Sequence, residues 1–432
     1  MPTGFDQRYE FDSPAAAVGA MVRGIGDTGL GRPSLARPLI QARGMVLAER
    51  VTLDRNSPAF DQSSMDGYAV RTSDLVGSGA GADVIALDVA CESRIGHPPP
   101  EMPSRPAGVR IATGAPLPLG PRAADAILKR EDVTEIEHNG EVTRIVIPRA
   151  TLAKAAVGQF IRRQGENARA GDPLLNPGTL LTSAALGALA AVGCTNPSVY
   201  QPVRIAIITT GDEVVGDDAA LGTHQIRNAN APTLAAIVSA HGWLDLASAA
   251  HMRDDGPALL TALREAVDHC DAVILSGGVS MGHRDPVRAA VESLGAAVVF
   301  HGLPQRPGKP MLAAILRTGS ESRAPVPIFG LPGNPVSSLV TCTRIVVPVL
   351  GALAGLARWP DPPLVRVANG DEQAIGLWWH RPVRGVGPGL VELVAARSSG
   401  DSIAAGASDG FVEVPPGHRL APNSRVACYH WA

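Results

Sequence analysis

The chain has 432 residues, of which 45% are hydrophobic and 18% charged, so we expect two to four globular domains and not a disordered chain. Its net charge of −3 at pH 7 argues against a nucleic-acid partner at the level of the whole chain. The five cysteines form no close pair, which excludes a disulfide framework and the usual cysteine-based zinc site and favours a reducing, cytoplasmic compartment.

The first 50 residues predict the start of a helical linker domain. Weak helical patterning runs through Ala15–Val22 and Leu39–Arg50, with a break rich in proline and glycine between the two segments. The segment Met1–Glu10 contains no apolar run of the kind that secretory signals carry. We therefore expect no secretory signal.

The next part of the chain predicts a β-rich domain followed by a connector. Residues 51–155 are punctuated by glycine and proline and contain short β-branched runs such as Arg144–Ile147. Residues 156–200 contain Thr182–Val192, an alanine- and leucine-rich segment that predicts a helix. We assign residues 51–155 to a β-rich domain and combine 156–200 with residues 1–50 in one linker or helical domain.

Residues 201–357 predict an α/β domain, because apolar runs and helical patterns alternate along them. Val203–Thr210 is apolar without polar alternation, which is typical of a strand buried on both faces. Further predicted strands are Leu244–His251, Ala272–Leu275, Ala297–Phe300, Met311–Leu316 and Val326–Phe329. Predicted helices are Ala231–His241, Pro257–His269 and Pro286–Leu294. This alternation indicates a doubly wound parallel sheet.

The last part of the chain, residues 358–432, predicts a small β-barrel, because short strands return between glycine and proline turns. The predicted strands are Leu390–Val394, Phe411–Val414 and Arg425–Tyr429. The apolar segment before this domain, Val336–Ala357, is interrupted by Arg344 and Pro348. We expect it to form a buried helix and not a membrane span.

Three polar turns follow predicted strands of the α/β domain and so fall at the edge where such sheets bind ligands. They are Gly211–Glu213, Ser276–Gly282 with the nearby Asp285, and Gly330–Pro335. Glycine turns let backbone N–H groups approach an oxyanion, and the helix that begins at Pro335 adds partial positive charge. The carboxylates of Asp212, Glu213 and Asp285 favour a divalent cation between them and phosphate oxygens. One such turn is usually only a turn, but three together predict a nucleotide or pyrophosphate site with magnesium.

The segment Gln305–Pro310 predicts a second anion-binding feature near the same edge. Two prolines stiffen a loop that carries Arg306 and Lys309, and a tetrahedral oxyanion needs such fixed positive charge. Alone, the segment is more typical of a solvated surface turn, but its place after a strand favours binding. Together with the glycine turns it predicts one pocket for two oxyanions. Three other segments are by themselves more typical of turns, namely Asp61–Val70, Ala112–Pro116 and Arg162–Asn167.

Taken in chain order, six motifs resemble the molybdopterin molybdenumtransferase family, which includes the carboxy-terminal domain of gephyrin. The motifs are Ser64–Ala69, Thr113–Pro116, Thr210–Glu213, Ser276–Ser280, Pro307–Pro310 and Leu331–Pro335. Each motif is weak alone, whereas six in the same order are specific. The resemblance implies four subdomains with a molybdopterin-binding-type α/β domain, and a homodimer whose cleft lies between the α/β domain of one subunit and the β-rich domain of the other.

The resemblance also implies the reaction and the site. The enzyme would insert molybdate into adenylylated molybdopterin with magnesium and release AMP, working between a molybdopterin adenylyltransferase and molybdoenzymes or their chaperones, without nucleic acid or membrane. The implied cleft residues from the partner subunit are Asp66 and Thr113. The implied residues for the metal and the phosphoanhydride are Glu213, Asp254 and Asp285. The implied nucleotide and oxyanion residues are Gly277, Gly278, Ser280, Arg306, Lys309, Pro332 and Pro335.

Two positions depart from the family pattern. Arg306 stands where the family usually has lysine, and its planar fork replaces a compact point donor. Asn167 stands where the family has aspartate, and an amide is no base and a weaker metal ligand. These departures leave open a catalytically lapsed paralogue that acts as a pterin or nucleotide carrier or scaffold. An adenylyltransferase acting one step earlier is a third alternative, against which the β-rich domain and the barrel argue.

Overall fold

The computed structural model of the protein describes residues 9–26, 32–76, 83–216, 218, 220–279, 285–317 and 324–431. The chain divides into two units. Unit 1 comprises Met1–Arg50 together with Leu175–Ala432, and unit 2 comprises Val51–Leu174. Unit 2 contains the whole segment predicted as the β-rich domain, and the four-domain division stays a prediction.

A six-stranded sheet forms the centre of unit 1. Its strands lie in the spatial order Leu244–Met252, Val203–Thr210, Ala272–Ser276, Val326–Leu331, Leu312–Leu316 and Ala297–His301. Neighbours among the first four strands are parallel, which confirms the predicted doubly wound fold. Leu312–Leu316 is antiparallel to both of its neighbours, contrary to an all-parallel sheet. Residues 317–325 are too few for the crossover of about a dozen residues that a parallel connection needs.

Helices cover both faces of this sheet. They are Asn230–Ser239, Gly256–His269, Pro286–Ser293 and the amino-terminal helix Pro14–Ile25. Along Val203–Thr210, Ile205 and Ile207 belong to the apolar core on one face, and Ala206 and Ile208 belong to the core on the other. The strand is therefore buried on both faces, as its unbroken apolar run predicts.

The apolar segment after Pro335 forms a long helix that packs inside unit 1. It consists of Pro335–Thr341, a π-helical turn at Cys342–Val346 and Val347–Leu353. By length and composition it is apolar enough to cross a membrane, but 83% of its most apolar window is buried within the protein. It is a core helix, as the sequence predicts.

The carboxy-terminal part of unit 1 is a closed five-stranded β-barrel, which confirms the prediction. Its strands are Leu364–Val367, Trp378–Gly387, Leu390–Leu393, Gly410–Val414 and Arg425–His430, with a short helix at Ser402–Gly406. Trp378–Gly387 closes the barrel because it pairs with Leu390–Leu393 through its second half and with Gly410–Val414 through its first half. The short strand Gln305–Arg306 joins the same sheet beside Trp378.

The remaining elements of unit 1 are short. The strand pairs are Ser34–Ala36 with Ser198–Tyr200 and Val214–Val215 with Ile226–Arg227, and the connector helix is Ser183–Ala191. The predicted helix over Leu39–Arg50 is wrong, since only the 3-10 turn Leu39–Ala42 forms there. Gly44 at φ +76° ends the turn, and Met45–Leu47 then bonds in extended form to the segment before the connector helix.

Unit 2 is built on a second six-stranded sheet. Its strands lie in the order Ala126–Lys129, Gly67–Val70, Gly108–Ile111, Val84–Ser93, Glu141–Pro148 and Thr134–His138. Shorter elements are the pairs Val51–Thr52 with Pro173–Leu175 and Gln62–Ser63 with Ile161–Arg162, the helices Thr72–Val76 and Arg149–Leu152, and the 3-10 turn Arg130–Asp132. The β-rich character predicted for this part of the chain is confirmed.

Candidate functional site

The carboxyl ends of the parallel strands open onto a cavity of about 670 Å³, here called the nucleotide cavity. The three turns predicted at this edge all contribute to its wall. The predicted site residues that line it are Glu213, Asp254, Gly277, Gly278, Pro332 and Pro335. A cavity therefore forms at the edge where open α/β sheets bind ligands.

The glycine turn after Ala272–Ser276 has no room for side chains. Gly277 lies at φ +98° and Gly278 at φ +65°, and a Cβ atom on Gly277 would fall 2.3 Å from the carbonyl oxygen of Thr210. The Gly277 N–H donates to the Leu331 carbonyl oxygen at 3.3 Å. The Gly277 N–H is therefore engaged within the protein, and Gly278 and Val279 are the described residues of the turn that remain for contact with an anion. Ser280, the third predicted member of the cradle, lies outside the described residues.

The predicted metal ligands separate into two groups. Glu213 and Asp254 are exposed and line the nucleotide cavity. Asp285 is buried; its Oδ1 accepts from Arg288 N at 3.0 Å and caps the helix Pro286–Ser293, while its Oδ2 lies 3.5 Å from His301 Nε2. Within the described residues, no three His, Cys, Asp or Glu side chains are close enough to hold one metal ion. The three carboxylates are therefore not gathered into a preformed metal site.

A second cavity of about 740 Å³, here called the cationic cavity, lies between the basic loop and the barrel. Four cationic side chains line it, namely Arg306, Lys309, Arg381 and Arg397, and its described lining includes no carboxylate. The indole ring of Trp379 carries two of them, with the Arg381 guanidinium 4.1 Å and the Arg306 guanidinium 5.7 Å from its centre. Such a wall attracts anions and orders its cations by stacking.

The basic loop is fixed at both ends. Arg306 pairs with Trp379 in the barrel sheet, and Leu303 N donates to the Lys309 carbonyl oxygen at 2.9 Å. Gly308 lies at φ +92°, where a Cβ atom would meet the Thr341 methyl group at 2.4 Å. The loop therefore presents its two cations from a rigid backbone, as an oxyanion site requires.

The two cavities share a wall. Pro310, Pro332 and Asn334 line both of them. The sequence predicts one pocket for two oxyanions, whereas the fold provides two adjoining cavities with different charge. Two carboxylates and Arg227 line the first cavity, whereas four cations and no described carboxylate line the second.

Two predicted site residues meet on the surface of unit 2. Asp66 Oδ1 accepts from the Thr113 N–H at 2.7 Å and from its hydroxyl at 2.9 Å. These two hydrogen bonds, with the backbone bond the stronger, lower the pKa of Asp66 below its usual range. The exposed Asp66 side chain is thus held as a carboxylate in one orientation.

Asn167 lies in a separate bend of unit 2 that is held by polar contacts. Its Oδ1 accepts from Arg162 at 2.6 Å, and its Nδ2 donates to the Ser57 hydroxyl at 3.3 Å. Arg163 in the same bend donates to Asp61 at 2.6 Å, and so joins the bend to the segment that leads to Asp66. The amide of Asn167 therefore makes both of these hydrogen bonds within unit 2.

Several residues that line the cavities have no counterpart in the sequence predictions. The nucleotide cavity adds Arg227, Asn228 and Asn230, and the cationic cavity adds Arg381 and Arg397. Asn228 lies just before the helix Asn230–Ser239 and Asn230 is its first residue, and asparagine at the start of a helix is a recognisable signal. The two arginines carry no local signal, because only barrel closure brings them to the basic loop.

The fold and these cavities define a protein of the molybdopterin-binding class. Residues 206–352 match the family described as the probable molybdopterin binding domain, and residues 18–193 match the MoeA N-terminal region (domain I and II). Two proteins named molybdopterin molybdenumtransferase are similar to the chain. The protein from Nostoc sp. is 36% identical over 77% of this chain and 72% of its own, and that from Haemophilus influenzae is 35% identical over 75% and 74%. The chain belongs to the molybdopterin molybdenumtransferase family and thus has a role in molybdenum cofactor biosynthesis.

Solved structures agree with this assignment. A molybdopterin biosynthesis moea protein from Pyrococcus horikosii has a TM-score of 0.68 at 26% identity and covers 96% of this chain and 98% of its own. A second structure, of the moeA protein from Pyrococcus horikoshii OT3, has a TM-score of 0.76 at 21% identity and covers 98% and 100%. The second comparison supports the fold alone.

Proposed function

We propose that the protein inserts molybdate into adenylylated molybdopterin and releases AMP, as a magnesium-dependent transferase. Family membership supports transferase chemistry. The observation that carries the specific reaction is the shared wall between a cavity lined by two carboxylates and one arginine and a cavity lined by four cations. A substrate that joins a nucleotide phosphate to a metal-accepting dithiolene needs two such compartments side by side.

The nucleotide cavity would hold the AMP half of the substrate. Its glycine turn offers close backbone approach, and Glu213 and Asp254 line the same cavity. Magnesium sites usually combine one or two carboxylates with substrate phosphates and water, so these two side chains fit such a site without a third ligand. When bound there, the ion would neutralise charge on the phosphoanhydride. Asp285 would act by fixing the start of its helix.

The cationic cavity would hold molybdate beside the dithiolene. Lys309 and Arg306 present positive charge from a rigid loop, and Arg381 and Arg397 face the same space. Fixed charges of this kind stabilise a bound oxyanion without reorganising during the reaction. The chain thereby contributes positioning and charge neutralisation, which account for most of the proposed catalysis.

We further propose a cytoplasmic homodimer in which the surface around Asp66 and Thr113 of one subunit serves the site of the other. Family resemblance supports this arrangement, as it supports an adenylyltransferase upstream and molybdoenzymes or their chaperones as recipients. Analytical ultracentrifugation tests the dimer, and a monomer at assay concentration would contradict it.

The proposed reaction has a direct test. Purified protein given adenylylated molybdopterin, molybdate and magnesium should release AMP and yield cofactor that activates an apo-molybdoenzyme. Chelation of magnesium should abolish both. If AMP release is no faster with the protein than without it, the proposal is wrong. If the protein instead consumes ATP and free molybdopterin, the adenylyltransferase alternative is favoured.

A lapsed carrier is the second candidate, because Asn167 and Arg306 depart from the family pattern. The contacts of both residues argue for activity, since Asn167 still holds Arg162 and Arg306 lies over Trp379. We expect Asn167→Asp and Arg306→Lys, together, to change the rate of AMP release by less than about tenfold, the equivalent of 1.4 kcal/mol. A rise far above tenfold in the double variant would favour the carrier.

Gly277→Ala should weaken AMP binding by about tenfold or more, because the methyl group would collide with the Thr210 backbone at a positive φ. Calorimetric titration with AMP measures the effect. Gly187→Ala is the matched control: Gly187 lies in the helix Ser183–Ala191 with nothing within 4 Å of its added Cβ. Equal AMP affinity in Gly277→Ala and wild type would show that this turn does not form the nucleotide site.

A further inference from the structure

Among the described residues that line both cavities, one has a polar side chain. Of the three residues that line both cavities, two are prolines and the third is Asn334. An amide at this boundary can bond to groups on either side. Asn334 is therefore placed where it can link ligand binding in one cavity to ligand binding in the other.

The side chain of Asn334 does not make the helix-capping hydrogen bond that its position in the chain favours. It occupies the N-cap of the helix Pro335–Thr341, where asparagine is a preferred capping residue, yet its side chain makes no capping bond. The amide Nδ2 instead donates to the Ser399 hydroxyl at 2.8 Å. The Val336 N–H donates to the Ser399 carbonyl oxygen at 3.1 Å and strengthens the link. Ser399 belongs to the wall of the cationic cavity.

The same segment is tied to the nucleotide cavity on its other side. Asn230 Nδ2 donates to the Gly333 carbonyl oxygen at 2.8 Å and to the Ser276 hydroxyl at 2.9 Å. The Ser276 hydroxyl in turn reaches the Pro332 carbonyl oxygen at 3.4 Å. Residues 332–334 are thus anchored by side chains from both cavities.

We propose that Asn334 is a positioning residue that couples the two cavities through its hydrogen bond to Ser399. This inference rests on the proposed function. The bond fixes the wall of the cationic cavity relative to residues 332–334, which border the nucleotide cavity. Phosphoanhydride cleavage is then fast only when molybdate is bound. Without the bond, the backbone bond from Val336 to Ser399 still links the two walls, and AMP release loses part of its dependence on molybdate.

The test compares AMP release from adenylylated molybdopterin with and without molybdate. The ratio of the two rates should fall by about fivefold or more in Asn334→Ala and in Ser399→Ala, which remove the same bond from opposite ends. Ser399→Thr keeps the hydroxyl and should keep the wild-type ratio. Asn196→Ala, an exposed asparagine outside both cavity walls, is the matched control. In Ser399→Ala, whose changed side chain lines only the cationic cavity, the AMP dissociation constant should stay within about threefold of wild type, which separates lost coupling from misfolding.

The outcomes separate the inference from the function that it rests on. An unchanged ratio in both alanine variants overturns the inference, and so does an equal loss of ratio and AMP affinity in Ser399→Ala, which indicates a merely structural role. If wild-type protein releases AMP equally fast with and without molybdate, and still forms cofactor when molybdate is present, the inference fails and the proposed function stands. If wild-type protein releases no AMP, both fail.

Discussion

Replacing Lys309 with methionine should lower the rate of molybdenum insertion by about 10²- to 10³-fold, the usual cost of removing one fixed oxyanion donor. Methionine keeps much of the side-chain length but removes the ammonium group that faces the cationic cavity. The backbone bond from Leu303 to the Lys309 carbonyl oxygen remains, so the loop should keep its path. The lost rate then reports the missing charge and not a displaced loop.

We do not expect the three arginines of the cationic cavity to compensate for the charge lost in Lys309→Met. Arg381 is paired with Asp371 and stacked on Trp379, so its position is already committed. Lys309→Arg keeps the charge but spreads it over a planar fork, and we expect it to recover only part of the rate.

The measurement is single-turnover cofactor formation at saturating molybdate, with AMP binding measured in parallel. AMP affinity should change little, because Lys309 lines only the cationic cavity. Lys154→Met, an exposed lysine of unit 2, is the matched control. If Lys309→Met forms cofactor at the wild-type rate, the basic loop is not part of the oxyanion site.

Replacing Glu413 with glutamine should destabilise unit 1 by about 3–5 kcal/mol, since it leaves a buried arginine without its counter-ion. Arg344, in the π-helical turn of the long helix, donates to both Glu413 oxygens at 2.6 and 3.2 Å. The two side chains are only 10% and 9% exposed. His380 Nε2 lies 3.1 Å from the same carboxylate. This pair joins the core helix to the barrel that carries the cationic cavity.

The same carboxylate predicts how stability depends on pH. Burial alone would raise the pKa of Glu413, but hydrogen bonds from His380 and Arg344 outweigh burial and lower the pKa to about 2. The folded pKa thus lies below the unfolded value of about 4.3. The stabilisation is complete above the unfolded value and is lost as the pH falls through the folded pKa. The difference in unfolding free energy between wild type and Glu413→Gln should therefore shrink between about pH 4.5 and pH 2.

Chemical denaturation at several pH values measures both effects. Glu392→Gln is the matched control, because it breaks the exposed Arg384–Glu392 pair in the same barrel, whose side chains are 57% and 33% exposed. That variant should lose no more than about 1 kcal/mol. Equal losses in the two variants, or a difference that is independent of pH, would contradict the role assigned to the buried pair.

Local sequence signals predict those parts of the fold that local physics determines. Val203–Thr210 forms as predicted because it is apolar on both faces, and the helix Gly256–His269 begins within one residue of its prediction because Asp255 caps it before a proline. The glycine turn at Gly277 was recognisable because only glycine fits its backbone. Asp285, assigned to a metal, stands before Pro286 and carries the same capping signal.

Features that depend on distant pairing could not be predicted in this way. Arg381 and Arg397 reach the basic loop only because the barrel closes through Trp378–Gly387, and no local periodicity encodes that closure. The split into two cavities has the same origin, since the barrel supplies one wall of the second. The direction of Leu312–Leu316 follows from the length of its connection and not from its composition.

The most direct test of two adjoining anion sites is a crystal structure of the protein with AMP, magnesium and molybdate, with molybdenum located by its anomalous scattering. We expect an arrangement with the AMP phosphate at Gly278, Glu213 and Asp254 nearby, and molybdenum across the shared wall, within reach of Lys309 and Arg306. Molybdenum bound among the carboxylates, or either ligand bound outside both cavities, would contradict it.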